Sequence, residues 1–107
     1  MKSSIDNDRF KFLEGELLGG PSNKLIQVRE LARFRHSNRD FFQKLTSREK
    51  QVLAAISSGM TNDEVAAELD LSRHTVGNHR KSIKKKLEAD TFTELYKFAL
   101  AFELIDY

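Results

Sequence analysis

From Leu45 onward the chain alternates short apolar runs with polar punctuation, and the apolar period is that of a helix. Three times a threonine is followed three residues later by a glutamate: Thr46–Glu49, Thr61–Glu64 and Thr91–Glu94. In such a capping box the hydroxyl and the carboxylate each take one amide hydrogen that a helix start leaves unpaired. The first box opens a helix expected over about Ser47–Ser57, with Val52, Leu53 and Ile56 inward and Gly59 ending it in a left-handed conformation. The second opens a shorter helix, Asn62–Leu69. Here Val65, Ala66 and Leu69 face the core and Met60 staples onto Val65. Only Asp70-Leu71-Ser72 separates it from the next helix, Ser72–Leu87, in which Ser72 caps the start and Leu71 packs on Val76. Val76, Ile83 and Leu87 line one side of that helix. A short helix, a three-residue turn and a longer helix form a helix-turn-helix, and Ala66 falls where the two helices cross.

The third box opens a helix expected from Phe92 to about Ile105, with ten of its fourteen residues apolar or aromatic. They wrap the whole circumference, and such a helix belongs buried on all sides. Phe92, Leu95, Ala99 and Phe102 are expected to close the core. Tyr96, Phe98, Leu100, Ala101 and Leu104 are then left for a second copy of the chain or for the N-terminal helices.

Upstream the pattern is weaker. A helix is expected from Asn23 to about Arg35, with Ser22 as its cap and Leu25, Val28, Leu31 and Ala32 on its apolar face. His36-Ser37-Asn38 interrupts it. Asp40–Leu45 then carries Phe41, Phe42 and Leu45 as a short helical turn, unless the region runs as one bent helix. Gly19-Gly20-Pro21-Ser22 is a break, and residues 1–22 read as flexible or weakly helical, with Phe10, Leu13 and Leu17 on one side. The chain thus divides into 1–22, a helical extension over 23–44, and a domain over 45–107 with its helix-turn-helix at about 62–81.

Charge sharpens this picture. The chain holds 18 Lys and Arg against 16 Asp and Glu, so the net charge says little and its distribution says more. From Arg73 to Lys86 there are six basic residues and no acid, while acids such as Asp63, Glu64, Glu68, Asp70, Glu94 and Glu103 lie elsewhere. Opposite the Val76–Leu87 stripe, a turn of about 100° per residue brings together His74, Asn78, Lys81 and Lys85, with Gly77 and Ser82 at the edges. A helix apolar on one side and cationic, with amide and hydroxyl donors, on the other suits the groove of a duplex. The 107 residues suffice for one small domain with a modest core. No cysteine is present, so no disulfide or thiolate chemistry is expected. No apolar run matches a membrane span or a secretory signal, and the expectation is a cytoplasmic protein without a membrane partner. His74 and His79 are five apart and point in different directions, and His36 is remote. Without a metal-ligand or paired-carboxylate pattern, neither an enzyme nor a metal or cofactor is expected. His79 reads as a half-buried residue seating the helix.

These residues carry a resemblance. Leu45-Thr46-x-Arg48-Glu49-x-x-Val52-Leu53, Gly59-Met60-Thr61-Asn62-x-Glu64-Val65-Ala66-x-x-Leu69, Leu71-Ser72-x-x-Thr75-Val76-x-x-His79, Ile83-x-x-Lys86-Leu87 and Glu94-Leu95 resemble the LuxR/GerE (FixJ/NarL) type of DNA-binding domain. The likeness runs from about Leu45 to Ile105. It implies an all-α, four-helix domain, here preceded by one or two extra N-terminal helices. Its third helix would enter the major groove of double-stranded DNA, and its last would pair two monomers through Tyr96, Phe98, Leu100, Ala101 and Leu104. Groove-facing positions would be Gly77, Asn78 and Lys81, with Arg73, His74, Ser82 and Lys85 nearby. Phosphate contacts would come from Thr46, Arg48, Asn62 and Thr75. The outward face read from spacing agrees: Asn78 suits adenine and Lys81 suits guanine or a phosphate. RNA polymerase is a further candidate partner. Two positions depart from the family. Gly77 stands where lysine is common, and Glu88 stands where a glycine usually ends the third helix. Because glutamate is unfavourable in a left-handed conformation by about 1 kcal/mol or more, that helix is expected to run on towards Ala89 or to end by another turn. The competing readings are a sigma-factor region-4-like module and a helical interaction bundle that has lost DNA binding. The chain itself reads either as a stand-alone regulator or as the output half of a longer one.

Overall fold

A computed structural model describes residues 21–106, with side chains from Gln27 onward. The expectations for residues 1–20 lie outside the described residues. Five helices follow one another: α1 (Pro21–Gln43), α2 (Ser47–Ser57), α3 (Asn62–Leu69), α4 (Arg73–Leu87) and α5 (Phe92–Ala101). Among the described residues there is no strand. The architecture is all α, with one helix ahead of the four-helix unit.

Local capping chemistry sets the frame. All three threonine–glutamate boxes close in both directions. At α2, for example, the Glu49 amide donates to Thr46 Oγ1 at 3.1 Å and the Thr46 amide donates to Glu49 Oε1 at 2.8 Å. Ser72 caps α4 by accepting from the Thr75 amide at 3.0 Å. Beyond α2, Gly59 takes φ +93°, the Gly59 amide donates to the Ile56 carbonyl, and the Met60 amide donates to the Ala55 carbonyl. This pair of bonds closes a Schellman turn. Val52, Leu53, Val65, Val76, Ile83 and Leu87 are then sealed from solvent in one core.

Three expectations are corrected. First, Ser22 lies inside the first turn of α1 rather than capping it, and of the two readings of this region the single helix holds, running through His36-Ser37-Asn38. Asn38 is buried and its Nδ2 donates to the Phe34 carbonyl at 2.9 Å, so its amide is satisfied within the helix instead of breaking it. Pro21 at the first position carries the fixed φ a helix start accepts. Second, α4 stops at Leu87. Glu88 does adopt the left-handed conformation (φ 51°), while the Ala89 amide reaches the Lys84 carbonyl at 3.0 Å and Ala89 is fully buried. Burying Ala89 and closing that turn offset the strain at Glu88. Third, α5 ends at Ala101 rather than near Ile105. Glu103 is left-handed at φ 60°, and the Leu104 amide bonds back to the Ala99 carbonyl at 2.8 Å.

The apolar surplus of α5 is covered by α1 and α2, the helices it packs against. An aromatic series joins α1 to α5. Phe34 meets Phe98 edge-on at 4.8 Å, and Phe42 stacks on Phe102 at 4.0 Å. Leu95, Phe98, Ala99, Leu100 and Ala101 are buried within the chain, and Tyr96, Phe102, Leu104 and Ile105 are half-buried. Phe92 departs from its expected place in the core: it is 52% exposed and stacks on Tyr96 at 5.9 Å.

Candidate nucleic-acid interface

The α3–turn–α4 unit presents one face of α4 to solvent. Asp70 at the end of α3 is left-handed (φ 56°), and the Leu71 amide bonds to the Ala66 carbonyl at 2.9 Å, so the chain reverses within three residues. Val76, Ile83 and Leu87 pin the inner side of α4 at 0% exposure. The outer side then follows from helical geometry: His74, Asn78, Lys81 and Lys85 are all exposed. Gly77 is half-buried, and a methyl group added there would meet nothing within 4 Å.

Of the residues expected at phosphates, Thr46 and Arg48 are exposed at the start of α2. Thr46 serves as cap, and Arg48 Nη1 donates to Gln51 Oε1 at 3.1 Å. Asn62, at the start of α3, and Thr75, in the first turn of α4, are half-exposed. Thr75 Oγ1 accepts from Ser72 Oγ at 2.8 Å. Arg73 reaches Asp63 at 3.4 Å, but both side chains are more than 70% exposed, and such a pair holds little.

Ser82 is placed differently. Its hydroxyl donates inward, to Glu49 Oε2 at 2.6 Å, instead of lining the outer face. Glu49 also accepts from Lys86 Nζ at 2.8 Å and from the Thr46 amide. Burial alone pushes this carboxyl up. The hydrogen bonds from Lys86, Ser82 and Thr46, together with the Lys86 charge, outweigh it and hold the pKa at about 2 against an ordinary 4.5. The cluster ties the start of α2 to the C-terminal half of α4, fixing two groups of candidate DNA contacts in one geometry. Sequence reading assigned Glu49 only its capping role. Lys86 lies 37 residues away, and no local spacing signals that pair.

Among the described residues no cluster of His, Cys, Asp or Glu is arranged to hold a metal, and no helix is long and apolar enough to cross a membrane.

A tight helical corner that shows one cationic flank and buries the other defines a helix-turn-helix domain of the DNA-binding kind. Residues 43–99 match the family described as bacterial regulatory proteins, luxR family, and the chain belongs to that family. Curated relatives agree. The chain is 50% identical over 56 residues to the uncharacterized response regulatory protein YgeK of Escherichia coli, covering 52% of this chain and 38% of that protein. It is 41% identical over 59 residues to the transcriptional regulatory protein FixJ of Rhizobium meliloti (55% and 29% of the two chains). With the response regulator protein TmoT of Ectopseudomonas mendocina it shares 34% identity over 97 residues (88% and 44%). The chain thus spans less than half the length of these relatives. No solved structure matches it.

Proposed function

We propose that this chain binds double-stranded DNA sequence-specifically and regulates transcription, with α4 lying in the major groove. The observation that carries this reading is the two-sidedness of α4: three apolar residues fully sealed, and His74, Asn78, Lys81 and Lys85 all open to solvent. Asn78 offers a bidentate pair to adenine, Lys81 and Lys85 reach guanine edges or phosphates, and Gly77 lets the helix backbone approach closely. Arg48 and the free amides at the start of α2 take phosphate oxygens, and Asn62 and Thr75 do the same beside the turn. Glu49 holds these two contact groups in register.

A two-fold operator would pair two chains along α5. While α1 stays docked, Phe98, Leu100 and Ala101 remain inside the monomer, and Phe92 with Tyr96 is the apolar edge α5 offers a partner.

Selection from random duplexes, followed by titration over a salt series, tests the reading. Enrichment of one sequence is expected, with affinity falling steeply as salt rises. Lys81→Glu should abolish that binding while the thermal unfolding curve stays in place. Full affinity in this variant would remove α4 from the groove.

A further inference from the structure

The matched domain carries little net charge of its own, and α1 differs from it. Residues 45–106 contain nine Lys and Arg against ten Asp and Glu. Residues 27–44 contain five against two. The inner side of α1 is fixed by Leu31, Phe34, Asn38 and Phe42, all buried. A turn of about 100° per residue therefore places Arg29, Arg33, His36 and Arg39 within one outward sector, and all four are exposed. The acids nearby do not cancel them. Glu30 approaches Arg33 only at 3.9 Å, with the arginine 74% exposed, and Asp40 is the one carboxylate in the sector itself. Lys44, also exposed, continues the line past the end of the helix, its ammonium 5.3 Å above the Phe41 ring.

This stripe runs towards the proposed DNA contacts. Gln43 ends α1 three residues before the Thr46 cap of α2, and α1 packs directly on α4. Glu49 in turn joins the start of α2 to Lys86 of α4. The C-terminal end of α1 therefore adjoins the Arg48 end of α2, which Glu49 ties to Lys86 of α4.

We infer that the outward face of α1 is a second, sequence-independent DNA surface. Arg29, Arg33 and Arg39 engage phosphates of the duplex flanking the site that α4 reads, and Lys44 bridges the two surfaces. The inference rests on the DNA-binding reading above. Arg29 to Arg39 spans about 15 Å of helix, over which one strand of B-DNA presents about four phosphates. The guanidinium groups supply attraction without base readout, so this surface raises affinity and footprint length and leaves sequence preference unchanged.

The test compares the full chain with its Arg29→Gln/Arg33→Gln/Arg39→Gln variant on two labelled duplexes. Both carry the sequence enriched by selection: one has the core alone, the other adds about one helical turn, roughly 10 base pairs, on each side. On the long duplex the variant should bind ~10-fold or more weakly, and its slope of log affinity against log salt should be shallower by about two to three. On the core duplex the two proteins should bind alike. Equal affinities and slopes on both lengths would overturn the inference and assign the stripe to an acidic protein partner or to solvent. A loss of equal size on both duplexes would also overturn it, because the effect would not come from flanking phosphates. Failure of the parent reading looks different: the unmodified chain would then enrich no sequence, and Lys81→Glu would change nothing.

Discussion

Glu49 shows how one side chain acquires several partners by its position. Being third in the helix puts its carboxylate on the Thr46 amide, and being buried at the α2–α4 contact gives it Ser82 and Lys86. Its folded pKa of about 2 lies below the ordinary 4.5, so the stability it contributes is complete above about pH 4.5 and is lost as pH falls towards 2. Urea unfolding followed from pH 6 down to pH 2 should show that loss, and Lys86→Met should remove much of the pH dependence across the same window. At neutral pH Lys86→Met should cost about 3 kcal/mol, because a buried carboxylate loses its counter-charge. An unchanged acid limb in Lys86→Met would separate the pair from acid stability. The capping half of this arrangement is readable in the chain, since Thr46 and Glu49 are three residues apart. The pairing half depends on how α2 and α4 meet. For the same reason Ser82, placed at the edge of the outer face by helical spacing, turns out to bond inward.

The capped helices α2 to α5 begin where their caps predict, whereas packing decides where α4 and α5 end. Every box start is local chemistry, and α2 and α3 keep the bounds that their caps and apolar periods predict. The ends of α4 and α5 required Glu88 and Glu103 to take left-handed conformations that their residue type disfavours. Intrinsic preference argued for a longer α4, but Ala89 seated in the core prevailed. Glu88→Gly should therefore stabilise the domain by about 1 kcal/mol, read as a higher denaturant midpoint at unchanged slope. A lower midpoint would mean that the contacts of the Glu88 side chain outweigh its backbone strain. For α1 the sequence left a break and a single helix equally open, and the structure takes the single helix. His36-Ser37-Asn38 resembles a break by composition, yet the Asn38 amide bonds back within the helix and its side chain packs inward.

Across the molecule, the apolar excess of α5 was plain from its fourteen-residue pattern, whereas its covering was a matter of tertiary arrangement. Either a second copy or the N-terminal helices satisfied the sequence, and in the structure α1 lies over much of it. Phe34→Ala removes the ring that meets Phe98 and should cost about 3 kcal/mol or more. Hydrogen exchange should then show α1 amides losing protection while those of α2–α4 keep theirs. Sedimentation should show concentration-dependent association as Leu100 and Ala101 become exposed. A strictly monomeric variant with an unprotected α1 would deny α5 any part in pairing.

The unbroken course of α1 has a mechanical side. It is a rod of 23 residues, about 34 Å long, clamped by Leu31, Phe34, Asn38 and Phe42 and joined to α2 by Lys44, Leu45 and Thr46. Twisting or pulling its Pro21 end delivers torque to the corner where α2 meets α4, with little slack to absorb it. Adding one residue near that end would advance the phase of anything attached there by about 100° and leave the clamp untouched.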